Sequence, residues 1–254
     1  YNNLNKLEIS KSALIHNYKY LLGLAHPAKI APVLKSNAYG HGIIEIAKIL
    51  DPLGAPFFCV DSLFEAYQLF NVAIKTPILI MGYVGAENLK VKPLPFSFAV
   101  FSLEMLGAIK KYQPQAGIHI FVDTGMHREG VPMEDFKEFY SQAKKMGLKV
   151  EGLMSHLATP ERMDRQIAEF NKFKSLTSIK WTHILASPGL MKLGKPVGNM
   201  VRIGRALYGV EPQILNKSLK PAARLISTIV QIKELEKGKK VGYDFSFSAT
   251  RNMV

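Results

Sequence analysis

The sequence predicts an α/β protein whose main part is a TIM-type (β/α)8 barrel, and three observations predict it. Eight short apolar runs, bounded by Pro, Gly or Asp, alternate with longer segments of helical period, as βα units on a parallel sheet do. The chain has 254 residues, close to the roughly 250 that such barrels occupy. Polar residues suited to chemistry follow several of the runs, where barrel enzymes build their sites. The pattern leaves an open doubly wound sheet as the alternative.

The elements of the predicted barrel follow one another in a regular order. Before the first unit, Leu7–Ile9 alternates in polarity, and Ser10 or Ser12 can cap a helix over Ala13–Leu22 that stops near Gly23. The predicted strands are Ile30–Leu34, Phe57–Val60, Ile78–Met81, Phe96–Phe101, Ile118–Val122, Val150–Ser155, Thr182–Ala186 and Met200–Ile203. The predicted helices between them are Ile43–Leu50, Leu63–Phe70, Ala86–Val91, Leu103–Tyr112, Glu134–Met146, Arg162–Leu176 and a short Pro188–Leu193.

The last thirty residues have a different character. Leu225–Lys233 is a strong β segment, a polar turn region follows, and Val241–Ser248 is a second β segment, so the two are predicted to form a hairpin. A closed barrel has no place for them. We therefore predict a barrel over residues 10–223 and an incomplete all-β domain made of residues 1–9 and 224–254.

Composition excludes several classes of protein. The hydrophobic share of 48% and charged share of 21% are ordinary for a globular protein. The net charge is +13, but the basic residues are scattered and not interleaved with aromatic ones, which argues against a nucleic-acid binder. The single cysteine, Cys59, allows no internal disulfide. Without an apolar run of about 20 residues or a signal-peptide core, the expected location is the cytoplasm.

Lys35 stands where the first predicted strand becomes a loop with two glycines, Gly40 and Gly42. A lysine in such a place can act as a nucleophilic amine that forms an imine with an aldehyde cofactor. Pyridoxal 5'-phosphate is the common cofactor of this kind. The alternative, which the residue alone leaves open, is a surface lysine that ends a strand.

Three motifs decide between these readings. The chain contains Lys-Ser-Asn-Ala-Tyr-Gly-His-Gly at residues 35–42, Val-Asp-Thr-Gly-Met-His-Arg at 122–128 and Asn-Met-Val-Arg-Ile-Gly-Arg-Ala-Leu-Tyr-Gly at 199–209. They resemble, in the same order, three motifs of the alanine racemase family. The resemblance runs from about Leu7 to the last residue.

The resemblance implies a pyridoxal-phosphate enzyme and a role for each matching residue. Lys35 would be the Schiff-base lysine and one of two acid–base groups at the α-carbon of the substrate. Arg202 would face the pyridine nitrogen of the cofactor, His156 would flank the ring, and Arg128 would reach the phenolic oxygen and the substrate carboxylate. The phosphate ligands would be the hydroxyls of Tyr39 and Ser187 together with the backbone N–H groups of Gly204 and Arg205. No metal is expected.

The chain departs from the family pattern at several points. Many racemases have a carbamylated lysine two residues before the motif Asp, where this chain has Phe121, so Arg128 needs another anchor. Ala186 stands where an Asn is common, and Arg205 where the family has an apolar residue. The second acid–base group of the family is a tyrosine that the partner subunit of a homodimer donates, and its motif would begin after Val254. We therefore expect α-proton exchange on the Lys35 face and little or no full racemisation from these 254 residues.

We thus interpret the chain as an alanine racemase that interconverts L- and D-alanine for peptidoglycan synthesis. Two alternatives stay open: a non-catalytic pyridoxal-phosphate carrier, which would end with the barrel, and a racemase for other amino acids.

Overall fold

The computed structural model describes residues 3–210 and 217–254. Two compact units are distinguished by their internal contacts: Ile9–Ala223, and residues 3–8 with Arg224–Val254. All but one residue of β1 (Asn5–Ile9) and of β10 (Ala223–Ser227) belong to the smaller unit. The strands of the larger unit are β2 (Lys29–Pro32), β3 (Phe58–Val60), β4 (Ile78–Ile80), β5 (Phe96–Val100), β6 (Gly117–Phe121), β7 (Lys149–Met154), β8 (Trp181–His183) and β9 (Met200–Ile203). Its helices are α1 (Lys11–Ala25), α2 (Lys35–Tyr39), α3 (Ile43–Leu50), α4 (Leu63–Asn71), α5 (Ala86–Leu89), α6 (Leu103–Tyr112), α7 (Met133–Lys145), α8 (Met163–Ser175) and α9 (Ser187–Leu193).

Serine side chains start three of these helices. The hydroxyls of Ser10, Ser62 and Ser102 each accept a hydrogen bond of 3.2 Å from the backbone N–H three residues on, which satisfies a donor that the first helical turn leaves unpaired. Of the two predicted caps for α1, Ser10 is the one used. The predicted strands and helices are confirmed in kind and order, with bounds that differ by a few residues. The short strand β8 differs most, since it ends at His183.

The eight strands β2 to β9 form a ring. Six of them, β3 to β8, pair in chain order as a parallel sheet, and β2 pairs in parallel with β9, so that Lys29 lies opposite Met200. A parallel bridge between Val33 and Cys59 links β2 to β3. On the other side, the Arg202 N–H donates to the Leu185 carbonyl at 3.1 Å and joins β9 to the segment after β8. The predicted barrel is therefore confirmed, and the open sheet is excluded because the first and last strands pair.

Buried apolar side chains make up most of the core, both inside the ring and in the layer under the helices. Helix α3 illustrates the second layer: Ile43, Ile46, Ala47 and Leu50 recur at helical spacing and are all buried. The carboxyl ends of parallel strands lie at the same end of such a ring, which brings the residues after each strand together.

The predicted hairpin between Leu225–Lys233 and Val241–Ser248 is wrong. Within the smaller unit, β10 pairs with β1, which lies more than two hundred residues earlier. The later segment folds on itself, as β11 (Lys240–Val241) pairs antiparallel with β12 (Phe247–Ser248). The sequence pattern identifies β segments but does not identify which distant strand each one pairs with. The prediction therefore paired each β segment with its neighbour in the sequence. In the described residues, no helix is both long and apolar enough to span a membrane.

Candidate active site

A cavity of about 640 Å³ opens at the carboxyl ends of the barrel strands. All eight residues that the sequence singles out line it, namely Lys35, Tyr39, Arg128, His156, Ser187, Arg202, Gly204 and Arg205. They lie at the carboxyl ends of five different strands or in the loops after them. They come together because the eight strands close into a ring. Two carboxylates that the sequence analysis did not single out, Asp61 and Glu129, also line the cavity.

Lys35 begins a turn of unusual backbone conformation. The four residues that follow it, 36–39, are not glycines, yet all have φ close to +55°, so α2 is a single left-handed turn. Left-handed helical backbone costs roughly 1–2 kcal/mol for each residue with a Cβ. Hydrogen bonds hold it: the Asn37 side-chain oxygen accepts from the Ile43 N–H at 2.8 Å, and the Leu34 carbonyl accepts from the Ala38 N–H at 2.8 Å. The predicted passage from strand to helix is therefore interrupted by a strained turn at the lysine.

The loops after β8 and β9 form a polar cradle. The Ser187 hydroxyl is buried and accepts hydrogen bonds from the N–H groups of Gly204 at 3.2 Å and Ala206 at 3.3 Å. A Cβ on residue 204 would overlap the Tyr39 hydroxyl, so the glycine allows this side chain to reach the cradle. Hydroxyls and backbone N–H groups at the start of short helical turns are suited to an anionic oxygen.

Arg202 lies buried beneath the cavity and is held on several sides. Its Nη2 donates to the Ser155 carbonyl at 2.6 Å, and its Nη1 donates to the His183 Nδ1 at 2.5 Å and to the His183 carbonyl at 3.1 Å. Burial lowers the pKa of Arg202 to about 10, which still leaves the guanidinium charged at neutral pH. Within the described part of the chain, Nε is the guanidinium nitrogen that no hydrogen bond engages. Arg202 can therefore donate one fixed hydrogen bond to a ligand in the cavity.

A chain of buried side chains continues from Arg202 into the barrel. Because a guanidinium only donates, His183 Nδ1 must accept, and its proton sits on Nε2, which lies 2.8 Å from His119 Nδ1. His119 then carries its proton on Nε2, 3.8 Å from Glu151 Oε1. Burial lowers the pKa of both histidines, so both stay neutral. This arrangement fixes the tautomers and hence the orientation of Arg202.

A glycine makes room for this chain. Any Cβ at Gly152 on β7 would overlap the His119 ring. The hydrogen bond from Ser97, the His119 imidazole at 3.8 Å and the Lys149 ammonium at 3.2 Å outweigh partial burial and lower the pKa of the Glu151 carboxyl to about 2. The row of buried side chains that starts at Arg202 therefore ends at Glu151, whose carboxylate is charged at neutral pH.

His156 follows β7 and lies beside Arg202, with 3.3 Å between its Nδ1 and Arg202 Nη2. Burial is the largest cause that lowers the pKa of His156, and the positive charges of Arg202, Arg128 and Lys35 lower it further, to about 3. The imidazole is therefore neutral at physiological pH. It offers a flat, uncharged face to the cavity.

Arg128 and Lys35 each face a carboxylate. Arg128 Nη2 lies 3.2 Å from Glu129 Oε2, with 53% of the arginine side chain exposed. Lys35 Nζ lies 3.6 Å from Asp61 Oδ1, with 40% and 59% of the two side chains exposed. Phe121 lines the cavity but offers no acceptor, and the carboxylate paired with Arg128 in the described residues is that of Glu129.

Several of these residues escaped the sequence analysis. Glu129 directly follows Arg128, and Asp61 directly follows the predicted strand that ends at Val60. The sequence pattern, however, does not distinguish a carboxylate that pairs with a cation from one that faces solvent. His119 and His183 gave a usable signal, since each is a polar residue inside an apolar strand. The described residues contain no cluster of His, Cys, Asp and Glu that could hold a metal ion.

The sequence and the fold match known proteins along nearly the whole chain. A family profile described as alanine racemase, N-terminal domain, matches residues 9–212. An alanine racemase of Geobacter sulfurreducens is 32% identical over 266 aligned positions, which cover 95% of this chain and 69% of that protein. An alanine racemase structure from Clostridium difficile 630 has a TM-score of 0.87 at 28% identity and covers 99% of this chain and 72% of its own. One from E. faecalis has the same TM-score at 27% identity, with 98% and 73% covered.

Proposed function

Because the chain belongs to the alanine racemase family, we propose that its barrel binds pyridoxal 5'-phosphate and uses Lys35 in the interconversion of L- and D-alanine. The observation that carries the proposal is the meeting of three unlike features in one cavity. These are the Lys35 amine, the inward-facing Arg202, and the cradle of Ser187 and Gly204. D-Alanine made in this way would supply peptidoglycan synthesis.

The residues present fit the proposed cofactor. Its phosphate needs hydroxyl and N–H donors, which Tyr39, Ser187 and the backbone at Gly204 can offer. Its pyridine nitrogen needs one donor, which the free Nε of Arg202 can supply. When bound, pyridoxal 5'-phosphate supplies an aldehyde that condenses with amines and a conjugated ring that withdraws electrons from the substrate α-carbon.

Lys35 has two tasks in this proposal. Its amine would bind the cofactor covalently, and when a substrate amine takes that place, the freed lysine would remain next to the substrate α-carbon. From there Nζ can take the α-proton from one face and return it. The left-handed turn fixes the direction from which it approaches.

Arg202 and His156 control the ring. A charged arginine donates a hydrogen bond but does not give up its proton, so it keeps the pyridine nitrogen unprotonated. By holding that nitrogen unprotonated, Arg202 would weaken the electron withdrawal that the cofactor supplies and so favour return of the proton to the α-carbon over side reactions. The neutral His156 packs beside the ring and adds no charge that would counter this effect.

Arg128 orients the substrate. Its guanidinium lines the cavity on the side of β6 and carries several N–H donors, so it can bind a carboxylate while one arm remains on Glu129. This orientation sets the α-hydrogen in line with Lys35.

The test is an absorbance spectrum of the purified chain with pyridoxal 5'-phosphate, before and after borohydride, for the chain and for Lys35→Ala. We expect a lysine-bound cofactor band that is absent in the variant, and peptide mass spectrometry should find the reduced label on Lys35. Exchange of the alanine α-proton with deuterated solvent should depend on Lys35.

The outcomes separate the proposal from its alternatives. A spectrum unchanged by Lys35→Ala would refute it. A band without any exchange would indicate a cofactor carrier, and exchange of larger amino acids in preference to alanine would indicate another racemase.

A further inference from the structure

We propose that Glu65 is a positioning residue for Lys35: its carboxylate ties the left-handed turn that carries the lysine to the loop that carries Asp61. The inference rests on the proposed role of Lys35. Glu65 lies in the first turn of α4 and does not line the cavity. It therefore acts through the residues it holds.

The contacts of Glu65 are short and go to two different loops. Its Oε1 accepts a hydrogen bond from the Ser36 N–H at 2.6 Å, and its Oε2 accepts one from the Asp61 N–H at 2.8 Å. Ser36 directly follows Lys35, and Asp61 is the carboxylate that faces the Lys35 amine. One side chain therefore fixes the backbone on both sides of the Lys35–Asp61 pair. Bonds from N–H groups to a charged carboxylate are the stronger kind of hydrogen bond.

These bonds are not those of an ordinary helix cap. Ser62 and Glu65 have the spacing of a capping box, in which the serine hydroxyl accepts from the glutamate N–H and the glutamate side chain returns to the serine N–H. The first half is present, since Ser62 Oγ accepts from the Glu65 N–H at 3.2 Å. The carboxylate, however, bonds to Asp61 and to Ser36, which lies 29 residues away in the chain. Stability of α4 does not require the bond to Ser36.

The left-handed turn at residues 36–39 needs hydrogen bonds of this kind to stabilise it. Residues 36–39 all lie in the left-handed region, which side chains with a Cβ adopt at a cost, and strained backbone persists only where its surroundings over-determine it. The bond from Ser36 fixes the turn at its first strained residue, and Asn37 fixes its exit through Ile43. If the hydrogen bond from Ser36 to Glu65 is lost, we expect the backbone at the start of the turn to relax. The Lys35 side chain should then no longer point in the direction that it has in the structure.

The position of Asp61 matters for the charge of the site. Lys35 shares the cavity with three arginines, and Asp61 is the carboxylate closest to its amine. Asp61 Oδ1 lies 3.6 Å from Lys35 Nζ, so the position of the Asp61 loop decides which carboxylate the amine meets. Because Glu65 also holds Asp61, it sets both the place of the base and the charge that faces it.

The experiment compares Glu65→Gln with a matched control, Asp51→Asn. Glutamine keeps the size of the side chain, but its NH2 group faces one of the two N–H donors and cannot accept from it. Asp51 also holds loop backbone through a carboxylate, accepting from the Thr76 N–H at 2.8 Å and the Lys75 N–H at 3.2 Å, before β4 and away from the cavity. Urea unfolding should show that both substitutions destabilise the chain to a similar degree.

Three readouts should change in Glu65→Gln alone, all taken well below the unfolding transition. Hydrogen exchange of the peptide over residues 36–39 should become at least several-fold faster. The yield of borohydride-trapped cofactor on Lys35 should fall. The turnover number of α-proton exchange should drop by about tenfold to a hundredfold, as expected for a misplaced catalytic group, with KM within about twofold, as for an interaction made only in the transition state.

Equal trapping and exchange in Glu65→Gln and the unsubstituted chain would overturn the inference, as would the same losses in Asp51→Asn. If the unsubstituted chain itself is not labelled on Lys35, the proposed function fails. Hydrogen exchange at residues 36–39 still reports then whether Glu65 holds the turn, so the two failures are distinguishable.

Discussion

Replacement of His156 by glutamine should change how the stability of the chain depends on pH. The pKa of His156 is about 3 in the folded chain because of burial and the nearby positive charges, and it rises to roughly 6.5 on unfolding. The folded pKa is the lower one, so stability is fully present above about pH 6.5 and is lost as the pH falls towards 3. Glutamine removes this titration while keeping an acceptor for Arg202.

The size of the effect follows from linkage. Each pH unit in the window costs about 1.4 kcal/mol, since one proton binds to the unfolded chain and none to the folded chain. Between pH 8 and 4.5, the range of the assay, the free energy of unfolding of the unsubstituted chain should therefore fall by about 2.7 kcal/mol more than that of His156→Gln. At pH 8 the free energy of unfolding of His156→Gln should be lower than that of the unsubstituted chain, because the substitution loses packing. This difference should shrink or change sign in acid.

The assay is urea unfolding followed by circular dichroism at intervals from pH 8 to pH 4.5, with His26→Gln as the control. His26 is exposed, so its replacement by glutamine controls for the removal of an imidazole at a site outside the cavity. A difference between His156→Gln and the parent that stays constant over the whole range would refute the argument that His156 is neutral because of its surroundings.

Three further predictions concern the cradle and the arginine. Ser187→Ala leaves two buried backbone N–H groups without their acceptor, so the free energy of unfolding should fall by about 1–3 kcal/mol; an unchanged urea midpoint would contradict this. Gly204→Ala forces a Cβ against the Tyr39 hydroxyl and should cost about 1–3 kcal/mol, part of which Tyr39→Phe in the same chain should restore. Glu129→Gln loosens Arg128 and should raise KM for alanine several-fold with little change in the turnover number; an unchanged KM would exclude Glu129 as the anchor.

The sequence was most informative where chemistry and local pattern agree. The eight candidate residues, six of which belong to the three motifs, all line one cavity, because the carboxyl ends of barrel strands converge whatever the details of each strand. The supporting residues were not predictable in the same way. Whether Glu65 bonds to its own helix or to Ser36 depends on the distance between two loops, which no local pattern encodes.

The fold, too, was predictable where local sequence signals determine it and was not predictable where long-range contacts do. Local signals such as the Ser10 cap and the helical spacing of α3 predicted the elements, and their alternation predicted the barrel. The hairpin failed because two β segments close in sequence look like partners, while β10 in fact pairs with β1. The left-handed backbone at residues 36–39 gave little signal, since Asn37 is the one residue among the four whose type is enriched at positive φ.

The pairing of β2 with β9 has a consequence for how the protein is made. Lys35 follows the first strand of the ring and Arg202 ends the last, so the two halves of the cavity are separated by more than 160 residues of chain. A ribosome releases the lysine turn long before the arginine that will face it. Since contacts of such long sequence separation form late and slowly, cofactor binding should be among the last properties that a newly synthesised chain acquires, and should report completion of the barrel.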